Sequence, residues 1–80
     1  MQLIGCRKSE FKGDDGALVT GWNLYVLLGE DEKNENVIGD QCDRIFVTEQ
    51  KLGNVDPSLC IGSQIEVVYN RYGKPSKVRF

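Results

Sequence analysis

Apolar residues recur along this chain with a period of two. The clearest stretch is Gly21-Trp22-Asn23-Leu24-Tyr25-Val26-Leu27-Leu28, rich in the aromatic and aliphatic residues that suit a strand. Side chains alternate across a strand, so Trp22, Leu24, Val26 and Leu28 share one face and Asn23, Tyr25 and Leu27 the other. Apolar groups on both faces predict a central strand, with core on one side and a ligand or partner on the other. Leu3 to Lys8 predicts a shorter strand, with Gly5 marking a bend or bulge. The turn signal Lys12-Gly13-Asp14-Asp15-Gly16 joins these two strands into a hairpin.

Gly29 to Gly39 reads as a solvated acidic loop, and its spacing does not fit a calcium loop. Cys42-Asp43-Arg44-Ile45-Phe46-Val47-Thr48 predicts a third strand. Thr48 then caps a short helix, Glu49 to Leu52, that Gly53 stops. Asp56-Pro57-Ser58-Leu59 offers another turn, Ser63 to Tyr69 a fourth strand with Ile65, Val67 and Tyr69 facing inward, and Lys77 to Phe80 a fifth. The order is three strands, a helical connector and a two-strand hairpin, within a single domain over residues 1–80. That predicts an all-β fold, a small five-stranded OB-like barrel with a short helical turn between strands three and four. An SH3-like barrel, or a half-barrel completed by dimerisation, answers to the same pattern.

Composition narrows function by exclusion. The chain has 80 residues, no histidine and a net charge of −2. Without histidine, the Ser–His and Cys–His pairs, His-ligated metals and a His base are excluded within one chain, so no enzyme and no cofactor are expected. Neither a Gly-rich phosphate loop nor a C-x-x-C pair occurs. Cys6, Cys42 and Cys60 therefore read as buried, reduced thiols. The start Met1-Gln2-Leu3-Ile4 has no signal-peptide pattern, and no apolar run reaches a membrane span, so a cytoplasmic location away from membranes is expected.

Charge distribution adds more than its sum. The loop from Glu30 to Glu35 holds four acids and one lysine, a net −3, which leaves +1 on the rest of the chain. Arg71, Lys74, Lys77 and Arg79 close the chain with no acid among them, and rings are interleaved with them in Tyr69-Asn70-Arg71-Tyr72-Gly73-Lys74. Cations along a groove hold phosphates, and exposed rings stack bases without regard to sequence. Tyr69 alternates with core residues and is expected inside. Tyr72 has no burial partner and is expected outside.

The runs Gly21-Trp22-Asn23-Leu24-Tyr25-Val26, Cys42-Asp43-Arg44-Ile45-Phe46-Val47 and Val67-Val68-Tyr69-Asn70-Arg71-Tyr72-Gly73-Lys74-Pro75 resemble small proteins from replication modules of phages and conjugative elements of Gram-positive bacteria. Those are similar to the helix-destabilising, single-stranded-DNA-binding proteins of filamentous phages. The resemblance implies a dimerising OB-like barrel that coats single-stranded DNA, with Tyr25 and Tyr72 as stacking rings. It implies Arg7, Lys8, Arg44, Arg71 and Lys74 as phosphate contacts. Trp22, whose strand mates Leu24 and Val26 are apolar, reads from its own context equally as a core residue or as a further stacking ring. The expected partners are thus single-stranded nucleic acid and a second copy, with no small-molecule substrate. A protein–protein interaction module using the same apolar face is the rival reading, and it suits the acidic net charge.

Overall fold

The computed structural model describes residues 1–80. The chain is all-β apart from two single-turn helical segments. In chain order it forms β1 (Gln2–Lys12), β2 (Leu18–Leu27), β3 (Cys42–Thr48), α1 (Glu49–Leu52), a 3-10 turn (Pro57–Cys60), β4 (Glu66–Tyr69) and β5 (Pro75–Arg79). The strands make two antiparallel sheets, β1-β2-β3 and β4-β5.

β1 and β2 are both longer than their apolar patterns. Their ladder runs from Gln2 opposite Leu27 to Lys12 opposite Leu18, with one bulge between Leu3 and Gly5. The turn chemistry carries the pairing past the apolar stretch. Gly13 N–H donates to the Ala17 carbonyl at 2.8 Å, Gly16 N–H to the Gly13 carbonyl at 2.9 Å, and Asp15 Oδ1 accepts from Ala17 N–H at 3.0 Å. Gly16 sits at φ 80°, where a side chain would be strained.

The core is a nine-residue apolar cluster: Leu3, Leu24, Val26, Ile45, Val47, Leu52, Ile65, Val67 and Val78. It lies between the two sheets and under α1. The second sheet is tied to the start of β1 by Leu3 N–H to the Ser63 carbonyl (3.0 Å), Gly62 N–H to the Leu3 carbonyl (2.7 Å) and Ile65 N–H to the Met1 carbonyl (2.8 Å). On the other side β5 lies against β3 without a shared ladder, and Lys51 Nζ donates to the Pro75 carbonyl at 3.0 Å. The expected all-β class is therefore observed, whereas the hydrogen-bonded circuit of a closed five-stranded barrel is interrupted between β3 and β5.

Several local expectations are corrected. Thr48 occupies the N-cap of α1 but its side chain makes no capping hydrogen bond, whereas Asp56 does cap the 3-10 turn, accepting from Ser58 N–H at 3.0 Å. β4 begins only at Glu66, because Ser63 to Ile65 direct their backbone bonds to residues 1–3 and not to β5. Tyr69 is 47% exposed, at the end of a short strand where the core has run out. Cys42 is exposed at the open start of β3, whereas Cys6 and Cys60 pack partly against the core. No helix is long and apolar enough to cross a membrane.

The molecule measures 42 × 28 × 19 Å with a radius of gyration of 13.5 Å. A compact domain of this length has a radius of about 11.6 Å. The excess comes from the β1–β2 ribbon, whose outer half, from Glu10 through Leu18, is exposed apart from Gly13 and has no core beneath it.

Candidate nucleic-acid interface

Residues directly opposite in an antiparallel ladder point to the same side. Leu3, Cys6 and Lys8 of β1 oppose Val26, Leu24 and Trp22 of β2, which oppose Asp43, Ile45 and Val47 of β3. This is the core-facing side. The other side is laid out in rows across the three strands. Gly5, Tyr25 and Arg44 form one row; Arg7, Asn23 and Phe46 the next; Ser9, Gly21 and Thr48 a third; and Phe11 with Val19 closes the series. These rows hold two arginines and three rings, and no carboxylate. Glu10 and Asp43, the acids within the three strands, both fall on the other side.

Two glycines let the rings lie low on this surface. The Tyr25 ring leans across Gly5, and a Cβ added there would stand 3.4 Å from Tyr25 Cδ2. Phe46 is seated on Gly21, where an added Cβ would fall 2.5 Å from Phe46 Cζ and 2.6 Å from the Val47 carbonyl oxygen. Only glycine leaves room for that ring. Phe46 in turn meets Phe11, with ring centroids 5.5 Å apart and planes inclined at 55°. Phe11 is still 49% exposed. Between the rings, Asn23 Nδ2 donates to Ser9 Oγ at 2.7 Å, which fixes the Asn23 amide over the sheet. Half-buried rings held by strand neighbours, flanked by free guanidinium groups, can stack bases and hold phosphates.

The sequence-expected site residues divide into three groups. Arg7, Tyr25 and Arg44 are gathered on this face. Lys8 and Trp22 lie on the opposite side, because they occupy core-facing positions. Lys8 Nζ pairs with Glu49 at 3.3 Å, and the half-buried Trp22 packs against the core, both lining a cleft with Leu52, Val55 and Asp56. Arg71, Tyr72 and Lys74 sit in the β4–β5 turn, on the other sheet. That turn is organised from within: Asn70 Oδ1 accepts from Tyr72 N–H (2.9 Å) and Lys74 N–H (3.1 Å), and the Arg71 guanidinium lies 5.1 Å over the Tyr72 ring. Tyr72 is 72% exposed, as its sequence context predicts.

Phe46, Phe11, Ser9 and Asn23 were not among the expected site residues. The signal for Phe46 was present in β3, where alternation puts it on the side of Arg44. Its place beside Tyr25 depends on register between strands, which no single segment encodes.

Acidic groups gather elsewhere. Glu32 accepts from Gly29 N–H at 3.0 Å and pairs with the Met1 ammonium at 3.0 Å, and these hold its carboxyl below the usual range. Burial raises the Tyr69 phenol, helped by the nearby Asp43 and Glu32 charges, which locates this negative potential by the second sheet. Burial likewise raises the Cys6 thiol, with Asp56 adding to the effect, so it is a poor nucleophile. No group of three or more Cys, Asp or Glu side chains is arranged to hold a metal ion. Comparison of the chain with protein-family models, with curated proteins and with solved structures finds no match.

Proposed function

We propose that this protein binds single-stranded DNA, without catalysis, on the outer face of the β1-β2-β3 sheet. One observation carries the reading: on a chain of net charge −2, that face alone collects Arg7, Arg44, Tyr25, Phe46 and Phe11 without a carboxylate. The strand order supports an OB-like barrel left open between β3 and β5, a form in which one sheet face stays free for ligand. The resemblance of the runs at residues 21–26, 42–47 and 67–75 to replication proteins of phages and conjugative elements supports a role in coating single strands during replication of such an element. Arg71, Tyr72 and Lys74 belong to this reading as a second contact that a longer strand would reach. Lys8 and Trp22 are left out of it by their position.

Titration of labelled oligo-dT at low salt, followed by fluorescence anisotropy, tests the proposal. Tyr25→Ala is expected to weaken binding by ~1–3 kcal/mol, the contribution of one stacked base. Trp22→Phe is expected to leave affinity unchanged. No binding by the wild-type chain, or equal affinity of the Tyr25→Ala variant, removes the reading.

A protein-interaction role is favoured by a different surface. Val55, Leu59 and Ile61 are exposed along the α1–β4 connector, and Val55 lines the cleft that holds Lys8 and Trp22. An apolar protein interface would hardly respond to salt, whereas phosphate binding weakens steeply with it.

A further inference from the structure

We propose that two copies of the chain join edge to edge through β1, antiparallel about a two-fold axis at Ser9. The inference goes beyond the nucleic-acid reading and does not require it. Beyond Leu3, no backbone hydrogen bond of β1 leaves the β1–β2 ladder. Counting back from the Gly13–Ala17 bond, Phe11, Ser9 and Arg7 turn their backbone groups toward β2. Lys12, Glu10 and Lys8 therefore turn theirs outward, to an edge that no strand of the chain pairs beyond Leu3, although the 3-10 turn approaches the start of β1. Such an edge is a template for another strand.

Charge selects both the occupant and the register. With Ser9 opposite Ser9 of the second copy, Lys8 stands opposite its Glu10 and Glu10 opposite its Lys8. Arg7 then stands opposite its Phe11, a pairing of guanidinium with ring. Sliding the pairing by two residues one way sets Lys8 against Lys8; sliding it the other way sets Glu10 against Glu10. The backbone parity also agrees, because Lys8 and Glu10 are both edge-facing and can exchange N–H···O bonds directly. Glu10 and Lys12 have no ion-pair partner within the chain, and the Lys8–Glu49 pair is about half exposed on both sides. The ribbon that leaves the core without support is the part that gains a neighbour. In this arrangement the rows bearing Arg7, Phe11 and Tyr25 from both copies fall on one side of a continuous six-stranded sheet.

The test is the mass of the full chain in solution, measured by light scattering on a sizing column without nucleic acid. Wild type is expected at the mass of two chains. Glu10→Lys sets Lys against Lys and is expected at one chain, as is Lys8→Glu, which sets Glu against Glu. An equimolar mixture of those two variants restores both opposite-charge pairs and is expected to return to two chains. Glu10→Pro removes an amide that points away from β2, so it blocks the edge without changing the fold and is expected at one chain. A wild-type mass of one chain overturns the proposal. So do a Glu10→Lys or Glu10→Pro chain that stays paired, and a mixture of folded variants that stays single. Dimerisation without oligo-dT binding would overturn the function and leave this interface standing.

Discussion

If Arg7 and Arg44 are the cations that meet phosphate, the salt response of binding follows from their number. Each phosphate neutralised on a single strand contributes a slope of about −0.7 to log K against log salt. Two arginines per bound protomer give about −1.4, so a four-fold rise in salt weakens binding about 7-fold. Engagement of Arg71 and Lys74 as well would double the slope to about −2.8 and weaken binding roughly 50-fold over the same range. The acidic loop does not cancel this attraction, because at physiological salt the Debye length is ~8 Å and Glu32 is paired with the Met1 ammonium, near Tyr69 of the second sheet. Anisotropy titrations of labelled oligo-dT, repeated across a salt series, give the slope. With a short oligonucleotide, Arg44→Gln is expected to reduce it by about 0.7 per protomer and Arg71→Gln to leave it unchanged. A wild-type slope near zero, or an Arg44→Gln slope equal to that of wild type, refutes the assignment of this face. An Arg71→Gln slope lowered as much as that of Arg44→Gln moves the contact to the β4–β5 turn.

Gly21→Ala forces Phe46 off its seat and presses on the Val47 carbonyl, a crowding that costs about 1–3 kcal/mol. Urea denaturation should show a lowered midpoint, and an unchanged midpoint would mean that the ring is not held there. Asp56→Asn keeps the cap but removes the charge that the Ser58 hydroxyl and amide hold below its ordinary pKa. The depressed value means that Asp56 contributes stability above about pH 3.9, lost as pH falls through the lower folded-state value. The gap between wild type and variant in thermal melts should close over that acid range, and a gap independent of pH contradicts the linkage.

What the sequence disclosed, and what it hid, follows from how local each determinant is. The two faces of β2 were legible because alternation is written in consecutive residues, and Trp22 and Tyr25 do point to opposite sides. The tight turn was legible from Asp14-Asp15-Gly16, and the exposed Tyr72 from its polar surroundings. The length of β1 was not, since Ser9 to Lys12 has no apolar alternation and is ordered by pairing alone. Thr48 matched a capping preference, but the chain enters α1 directly from a strand and its hydroxyl finds no amide. The place of Phe46 is not legible in β3 alone, because it arises from a glycine on the neighbouring strand, a relation set by register. Lys8 is a different case: alternation with Arg7, written in consecutive residues, already sets the two on opposite sides, and Lys8 pairs with Glu49 there.

The β1–β2 ribbon is a cantilever. Its root, where Tyr25 stands beside Arg44 of β3, is clamped by the apolar cluster, while its free end, beyond the contact of Phe11 with Phe46, rests on nothing but its own ladder. Opening of the free end is a local event that leaves the root intact. A polymer arriving at this surface thus meets firm ground first and must stiffen the far end to use it, spending part of its attraction on that ordering. A neighbour already laced along the ribbon would remove that toll in advance, so that assembly and grip would rise together with protein concentration.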